Sequence, residues 1–338
     1  MTKVLVVGPS WVGDTVLAQP LFALLHQKHP QLALDVLAPG WTLPLLARMP
    51  EVRRAIANPY GHGELRLGER RRLGLTLAEE RYDQAIVLPN SFKSALVPFF
   101  AGIPLRTGYL GELRWGLLND ARRLDKQALP LMVERFAALA GAAGEPLMRP
   151  LPAAHLEVAE TKRLAVLRKF ALEPRQPVVA LCPGAEYGPA KRWPAQYFAE
   201  LAQRLRSRGC EVWLIGSAKD AALGADIAAL SNGSCANLCG NTTLDEAIDL
   251  LASAQLAVSN DSGLMHVAAA LGKPLIALYG SSSPGFTPPL SASATILKLD
   301  LPCSPCFKRV CPLGHFNCMM QLVPDRVFAA VDFDKMRP

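Results

Sequence analysis

The sequence predicts an α/β protein made of two parallel-sheet domains. Two observations carry this. Short apolar strands alternate with amphipathic helices along the chain. That alternation is interrupted at Gly144 to Ala154, where Pro146, Pro150 and Pro152 mark a linker or domain edge. A length of 338 residues is enough for two domains, each with its own core.

In the first half, Lys3 to Val7 reads as a buried strand followed by a helix over Thr15 to Gln27. Leu32 to Leu37 is the next strand and Trp41 to Arg48 a helix. Strands follow at Val52 to Ile56, Asp83 to Leu88 and Thr107 to Tyr109, with helices at Lys93 to Phe100 and Leu131 to Ala143. After the linker and a helix at Thr161 to Phe170, strands are expected at Val178 to Leu181, Glu211 to Ile215, Leu256 to Ser259 and Leu275 to Leu278. Helices are expected at Ala195 to Ser207, Asp220 to Leu230, Leu244 to Ala252, Gly263 to Leu271 and, last, about Asp325 to Val331. The domain boundaries are set at 1–160 and 161–320, with 321–338 as a closing helical segment.

Half the residues are hydrophobic and 19% are charged, a globular rather than a disordered composition. No apolar run approaches the ~18 to 20 residues that span a bilayer. The N-terminal apolar run, Val4 to Val7, stops at Gly8-Pro9 and does not make a signal peptide, so a cytoplasmic protein is expected. The charge is uneven. Residues 1–170 carry 22 Lys and Arg against 15 Asp and Glu, and the rest of the chain carries 14 of each. A basic half can face nucleic acid, an anionic membrane or an acidic substrate, or it can be a solvated surface. The Arg-rich stretch from Arg66 to Arg81 has no interleaved aromatic residue, which argues against nucleic acid.

In open parallel sheets, ligands sit beyond the carboxyl ends of the strands. Four such ends carry polar blocks. The first strand runs into Gly8-Pro9-Ser10-Trp11-Val12-Gly13-Asp14; Asp14 there is a helix cap or a general base for a hydroxyl nucleophile. The dinucleotide pattern G-x-G-x-x-G is absent from this turn. The strand at Val178 runs into a loop from Cys182 to Pro194, with Lys191 and Arg192 before a helix, which suits phosphate or simply solvent. Ser217 and Asp220 follow the strand at Glu211, as a ribose site or a plain cap. The strand at Leu256 ends in Asn260-Asp261-Ser262-Gly263-Leu264-Met265-His266, where helix amides at Ser262 and Gly263 can hold a diphosphate.

Together, Ser10 to Asp14, Leu88-Pro89-Asn90-Ser91-Phe92-Lys93-Ser94, Pro183 to Glu186 with Lys191 to Pro194, and Asn260 to His266 resemble the ADP-heptose:lipopolysaccharide heptosyltransferases of glycosyltransferase family 9. The likeness spans nearly the whole chain. The Leu88 to Ser94 and Pro183 to Glu186 blocks favour the branch that acts on an acceptor already bearing one heptose. The resemblance implies a GT-B fold: two Rossmann-like domains facing a central cleft, with the last helix packing back on the N-terminal domain. It implies inversion at the anomeric carbon, with Asp14 as base and Lys191 on the phosphates. Gly184, Glu186, Arg192, Ser217, Asp220, Thr242, Asp261, Ser262, Gly263 and His266 would bind the donor, ADP-heptose. Ser10, Trp11, Gly13, Asn90 and Lys93 would bind the acceptor, a lipid A-core molecule at the inner-membrane surface, with peripheral membrane association as a corollary. Arg66, Arg70, Arg71, Arg72, Arg106, Arg114, Arg122 and Arg123 are available to attract its anionic groups.

No cofactor or metal is expected. The one Asp-x-Asp, Asp332-Phe333-Asp334, reads as a solvated chain end. Cys303, Cys306, Cys311 and Cys318, with His315 among them, are spaced like a zinc ligand set. Reduced thiols are the favoured reading in a cytosolic chain, and relatives without such a tail rule it out of the reaction.

Overall fold

The computed structural model describes residues 2–61 and 63–336 and divides into two compact units between Ala154 and His155. The first unit has strands β1 (Lys3–Val7), β2 (Ala33–Pro39), β3 (Arg54–Asn58), β4 (Gln84–Val87), β5 (Leu105–Tyr109) and β6 (Asp120–Arg122). They form one sheet in the order β3-β2-β1-β4-β5-β6, with all pairs parallel. The second unit has β7 (Val178–Cys182), β8 (Glu211–Leu214), β9 (Ala236–Asn237), β10 (Leu256–Asn260), β11 (Leu275–Tyr279) and β12 (Ala294–Lys298). Read from its other edge, the second sheet is β9-β8-β7-β10-β11-β12, again parallel throughout. Both units therefore repeat the strand order of a dinucleotide-binding Rossmann fold, with the direction of winding reversing between β1 and β4 and between β7 and β10. The predicted class, two Rossmann-like parallel-sheet domains, is the one observed.

The central strands are buried along their length because helices cover both faces of a parallel sheet, which requires near-continuous apolar runs such as Val4 to Val7 and Val178 to Leu181. Helix Ala195–Ser207 puts Phe198, Leu201, Ala202 and Leu205 onto the second sheet, in one core with Trp193 and Leu214. The last helix, Pro324–Ala329, expected against the first domain, packs on Ala195–Ser207, and Val327, Val331 and Met336 join that same core. Helix Leu67–Ala78, which the sequence reading left out, lies against helix Leu96–Phe100. The approach is so close that a Cβ on Gly74 would sit 2.6 Å from Phe100 Cβ. The expected long helix after Leu131 is only Met132–Ala137 plus a 3-10 turn to Ala140. Among the described residues no helix is long and apolar enough to cross a membrane.

Candidate active site

The four blocks that carry the family resemblance lie at the carboxyl ends of the strands flanking the two winding reversals, β1, β4, β7 and β10. In the second unit, β7 and β10 run side by side with Cys182 opposite Ser259. The loops leaving them are joined by Asn260, which is fully buried. Its amide donates to Pro183 O at 2.7 Å and accepts from Trp193 N at 3.1 Å. Trp193 is itself locked in the core, with Nε1 donating to Leu322 O at 2.6 Å. Lys191 and Arg192 are thus held two residues and one residue before a fixed anchor.

From there Lys191 Nζ reaches Asp261 Oδ2 at 2.5 Å and stacks 5.0 Å above the Tyr187 ring. The other oxygen of Asp261 is 4.0 Å from His266 Nε2, too long for a hydrogen bond. Asp261 and His266 are both buried. Burial pushes the His266 imidazole down to about 4, with Lys191 adding to the shift and Asp261 opposing it, so the ring is neutral at physiological pH. His266 lies in the first turn of helix Gly263–Ala270, whose N-cap, Ser262, makes no side-chain cap bond. The amides of that first turn remain available to an anion beside the Lys191 cation.

The neighbouring turns are equally constrained. Asp220 is buried and its Oδ2 accepts from Ser217 N at 3.0 Å and Ser217 Oγ at 2.7 Å, a reciprocal cap. Gly184 lies against this carboxyl: a Cβ there would stand 2.6 Å from Asp220 Cγ. Glu186 reaches outward to pair with Lys219 on the surface. Thr242 is set apart, beyond β9, just before helix Leu244–Ser253. Its buried Oγ1 has no hydrogen-bond partner, nor do Arg192 Nε, His266 Nδ1, Ser281 Oγ and Ser282 Oγ. Desolvated polar atoms of this kind cost free energy unless a ligand or water satisfies them.

The cysteine-bearing segment buttresses these loops. Phe307 N donates to Ser281 O at 2.6 Å, Tyr187 Oη to Phe307 O at 2.7 Å, and Ala190 N to Arg309 O at 3.0 Å. Cys303, Cys306, Cys311 and Cys318 carry free thiols. Backbone N–H groups of Phe316, Leu313, Gly314 and His315 lower the Cys311 thiol, whereas burial raises that of Cys318.

In the first unit, Val7 lies beside Val87 at the β1–β4 reversal. Ser10 and Trp11 form the turn into helix Val12–Lys28, with Gly13 and Asp14 in its first turn. Trp41, beyond β2, donates from Nε1 to Ser10 O at 3.0 Å and so fixes that turn. Asn90 and Lys93 lie beyond β4. Asn90 Oδ1 accepts from Arg114 Nη2 at 3.2 Å, and Arg114 is completely buried. An open cavity of about 630 Å³ lies beyond β5 and β6, lined by Arg122, Arg123 and Arg149 among others.

The structure therefore brings Lys191, Asp261 and His266 into one cluster and Gly184, Ser217 and Asp220 into another, whereas Asp14 and Lys191 belong to different units. Sequence reasoning passed over Asn260 as a site residue, although an Asn at the end of a central strand was an available signal.

Comparison with known proteins adds the chemistry. Residues 70–317 match the model of glycosyltransferase family 9 (heptosyltransferase). The chain is 52% identical to lipopolysaccharide heptosyltransferase 2 of Escherichia coli over 334 residues, 96% of each chain. It is 50% identical to lipooligosaccharide heptosyltransferase 2 of Haemophilus influenzae over 312 residues, 88% of each. The solved structure of E. coli ADP-heptose lipopolysaccharide heptosyltransferase II superposes with a TM-score of 0.88 at 49% identity, covering 97% of each chain. The protein is a glycosyltransferase. The chain belongs to family 9, the heptosyltransferases.

Proposed function

We propose that this enzyme transfers L-glycero-D-manno-heptose from ADP-heptose to the first heptose of the lipopolysaccharide inner core, with inversion at the anomeric carbon. The observation that carries this reading is the Lys191–Asp261–His266 cluster beside the free N-terminus of helix Gly263–Ala270, in a chain 52% identical to a lipopolysaccharide heptosyltransferase 2. The donor diphosphate competes with Asp261 for Lys191 and takes the helix amides. Its arrival also supplies partners for the orphaned Ser281 and Ser282 hydroxyls on the adjoining β11 loop. Asp220 and Thr242 face the nucleoside. Neutral His266 contributes a hydrogen bond rather than charge.

Asp14, at the start of helix Val12–Lys28, accepts the proton of the acceptor hydroxyl. The oxygen bonds to the anomeric carbon, the bond to the diphosphate oxygen breaks, and its electron pair leaves with ADP. Lys191 and the helix amides stabilise that developing charge, so the reaction needs no cofactor and no metal. Asn90 and Lys93 bind the acceptor. Synthesis at a membrane surface follows from the lipid nature of that acceptor.

The test is transfer from ADP-heptose to lipid A-core acceptors with and without the first heptose. Turnover of the monoheptosylated acceptor alone supports the proposal. Turnover of only the heptose-free acceptor makes the enzyme a type 1 transferase, and turnover of neither refutes the substrate assignment.

A further inference from the structure

Two buried arginines bind three carboxyl-edge loops of the first sheet into one surface. Arg70 donates from Nε to Leu65 O at 2.6 Å, from Nη2 to Glu64 O at 3.1 Å and from Nη1 to Lys93 O at 3.3 Å. It thereby joins the loop after β3 to the loop after β4. Arg114 donates from Nη1 to Pro89 O at 2.7 Å, and from Nη2 to Asn90 Oδ1 at 3.2 Å and to Tyr109 O. It joins the loop after β4 to the loop after β5. Glu112 adds a further tie, accepting from Phe92 N at 2.7 Å, and Gly111 packs directly on Asn90.

The consequence lies in the residues next to these anchors. Because Arg114 points fully inward, its neighbours splay outward: Leu113 is 80% exposed and Trp115 70%. Leu65, Leu67 and Phe92 are exposed on the adjoining loops. Large apolar side chains on a mobile tip would be unremarkable, but these are held out on braced backbone. Exposed Arg71 and Arg72 lie in the helix Leu67–Ala78 that follows the first of these loops, in the half of the chain with 22 basic against 15 acidic residues, while Arg66 is paired with Glu64 and Glu69.

We propose that the loops 64–67, 90–93 and 111–115 form a docking surface for an anionic lipid bilayer, with Leu113 and Trp115 inserting at the interface. Apolar tips flanked by Arg suit the headgroup boundary, where Trp is favoured and basic residues gain from the negative surface potential. The inference deepens the lipid-linked acceptor reading, since the same braced loops carry Asn90 and Lys93.

Co-sedimentation with acceptor-free vesicles tests the surface independently of catalysis. The full-length protein binds vesicles containing phosphatidylglycerol, at least about tenfold more tightly than phosphatidylcholine vesicles. The double substitution Leu113→Ser and Trp115→Ser weakens that binding about tenfold or more. Turnover of a deacylated, soluble acceptor stays at the wild-type rate in the same variant, which also reports that it folds. Equal binding to both vesicle types, no binding to either, or unchanged binding by the double variant would overturn the proposal. Vesicle binding without heptose transfer would leave the surface standing and overturn the acceptor reading alone.

Discussion

Lys191→Met removes the cation from a carboxylate that is only 4% exposed. Breaking a fully buried ion pair by deleting one partner costs about 3–5 kcal/mol, because the remaining charge keeps its desolvation penalty. The Lys191 side chain is 16% exposed, so some water reaches the pair and about 2–3 kcal/mol is the better expectation. For a unit of this size that lowers the unfolding midpoint by roughly 5–10 °C. Two further readouts belong to the same contact. Lys191 helps hold the His266 imidazole down, so its removal raises the His266 titration midpoint, visible by NMR of the ring protons. With the proposed charge-assisted contact of Lys191 to the donor phosphate lost, ADP binding weakens by roughly tenfold to a hundredfold. A variant with wild-type stability, an unmoved His266 and intact ADP affinity would refute the cluster as described.

Two other perturbations probe the same site. Gly184→Ala places a methyl 2.6 Å from Asp220 Cγ and forces the carboxyl off its Ser217 cap; a loss of about 1–3 kcal/mol in urea unfolding and weaker ADP binding are expected, and an unaltered protein would mean the turn is looser than this. His266 titrates near 4 in the folded protein and near its ordinary 6.5 when unfolded, so below pH 6.5 the unfolded chain takes up a proton that the folded one refuses. Stability is therefore complete above pH 6.5 and falls by about 3 kcal/mol as the pH drops towards 4, and His266→Gln removes that part of the slope; identical pH profiles for the two proteins would contradict it.

The central strands were readable because burial on both faces leaves a continuous apolar run: Lys3–Val7 is the strand the sequence predicts, and Val178–Cys182 differs by one residue. Of the four edge strands, β3 was readable two residues early and the other three were not. β6 is Asp-Ala-Arg, β9 is two residues, and β12 is largely exposed, so none carries the apolar signature of a covered strand. Helix Leu67–Ala78 was hidden for a different reason. Its buried positions include Arg70 and Gly74, where a periodicity search looks for aliphatic side chains. At the site, Lys191 and Asp261 could each be picked out as the charged residue following a strand, but their 2.5 Å pairing depends on Trp193 and Asn260 fixing two loops 67 residues apart in sequence. The sequence makes Arg70 and Arg114 available to the acceptor's anionic groups, whereas both are buried, Arg70 on backbone carbonyls and Arg114 on backbone carbonyls together with the Asn90 and Ser94 side chains, partners that no sequence pattern reports.

Whether Asp14 is the base is decided by comparing wild type with Asp14→Asn in heptosyl transfer from ADP-heptose to the monoheptosylated acceptor, without added metal, alongside donor binding by calorimetry. The Asn variant is expected to keep normal ADP-heptose affinity and to turn over more slowly by roughly two to four orders of magnitude, the scale of a lost general base. Wild-type turnover by the Asn variant would contradict it and return Asp14 to the role of a helix-terminal acid.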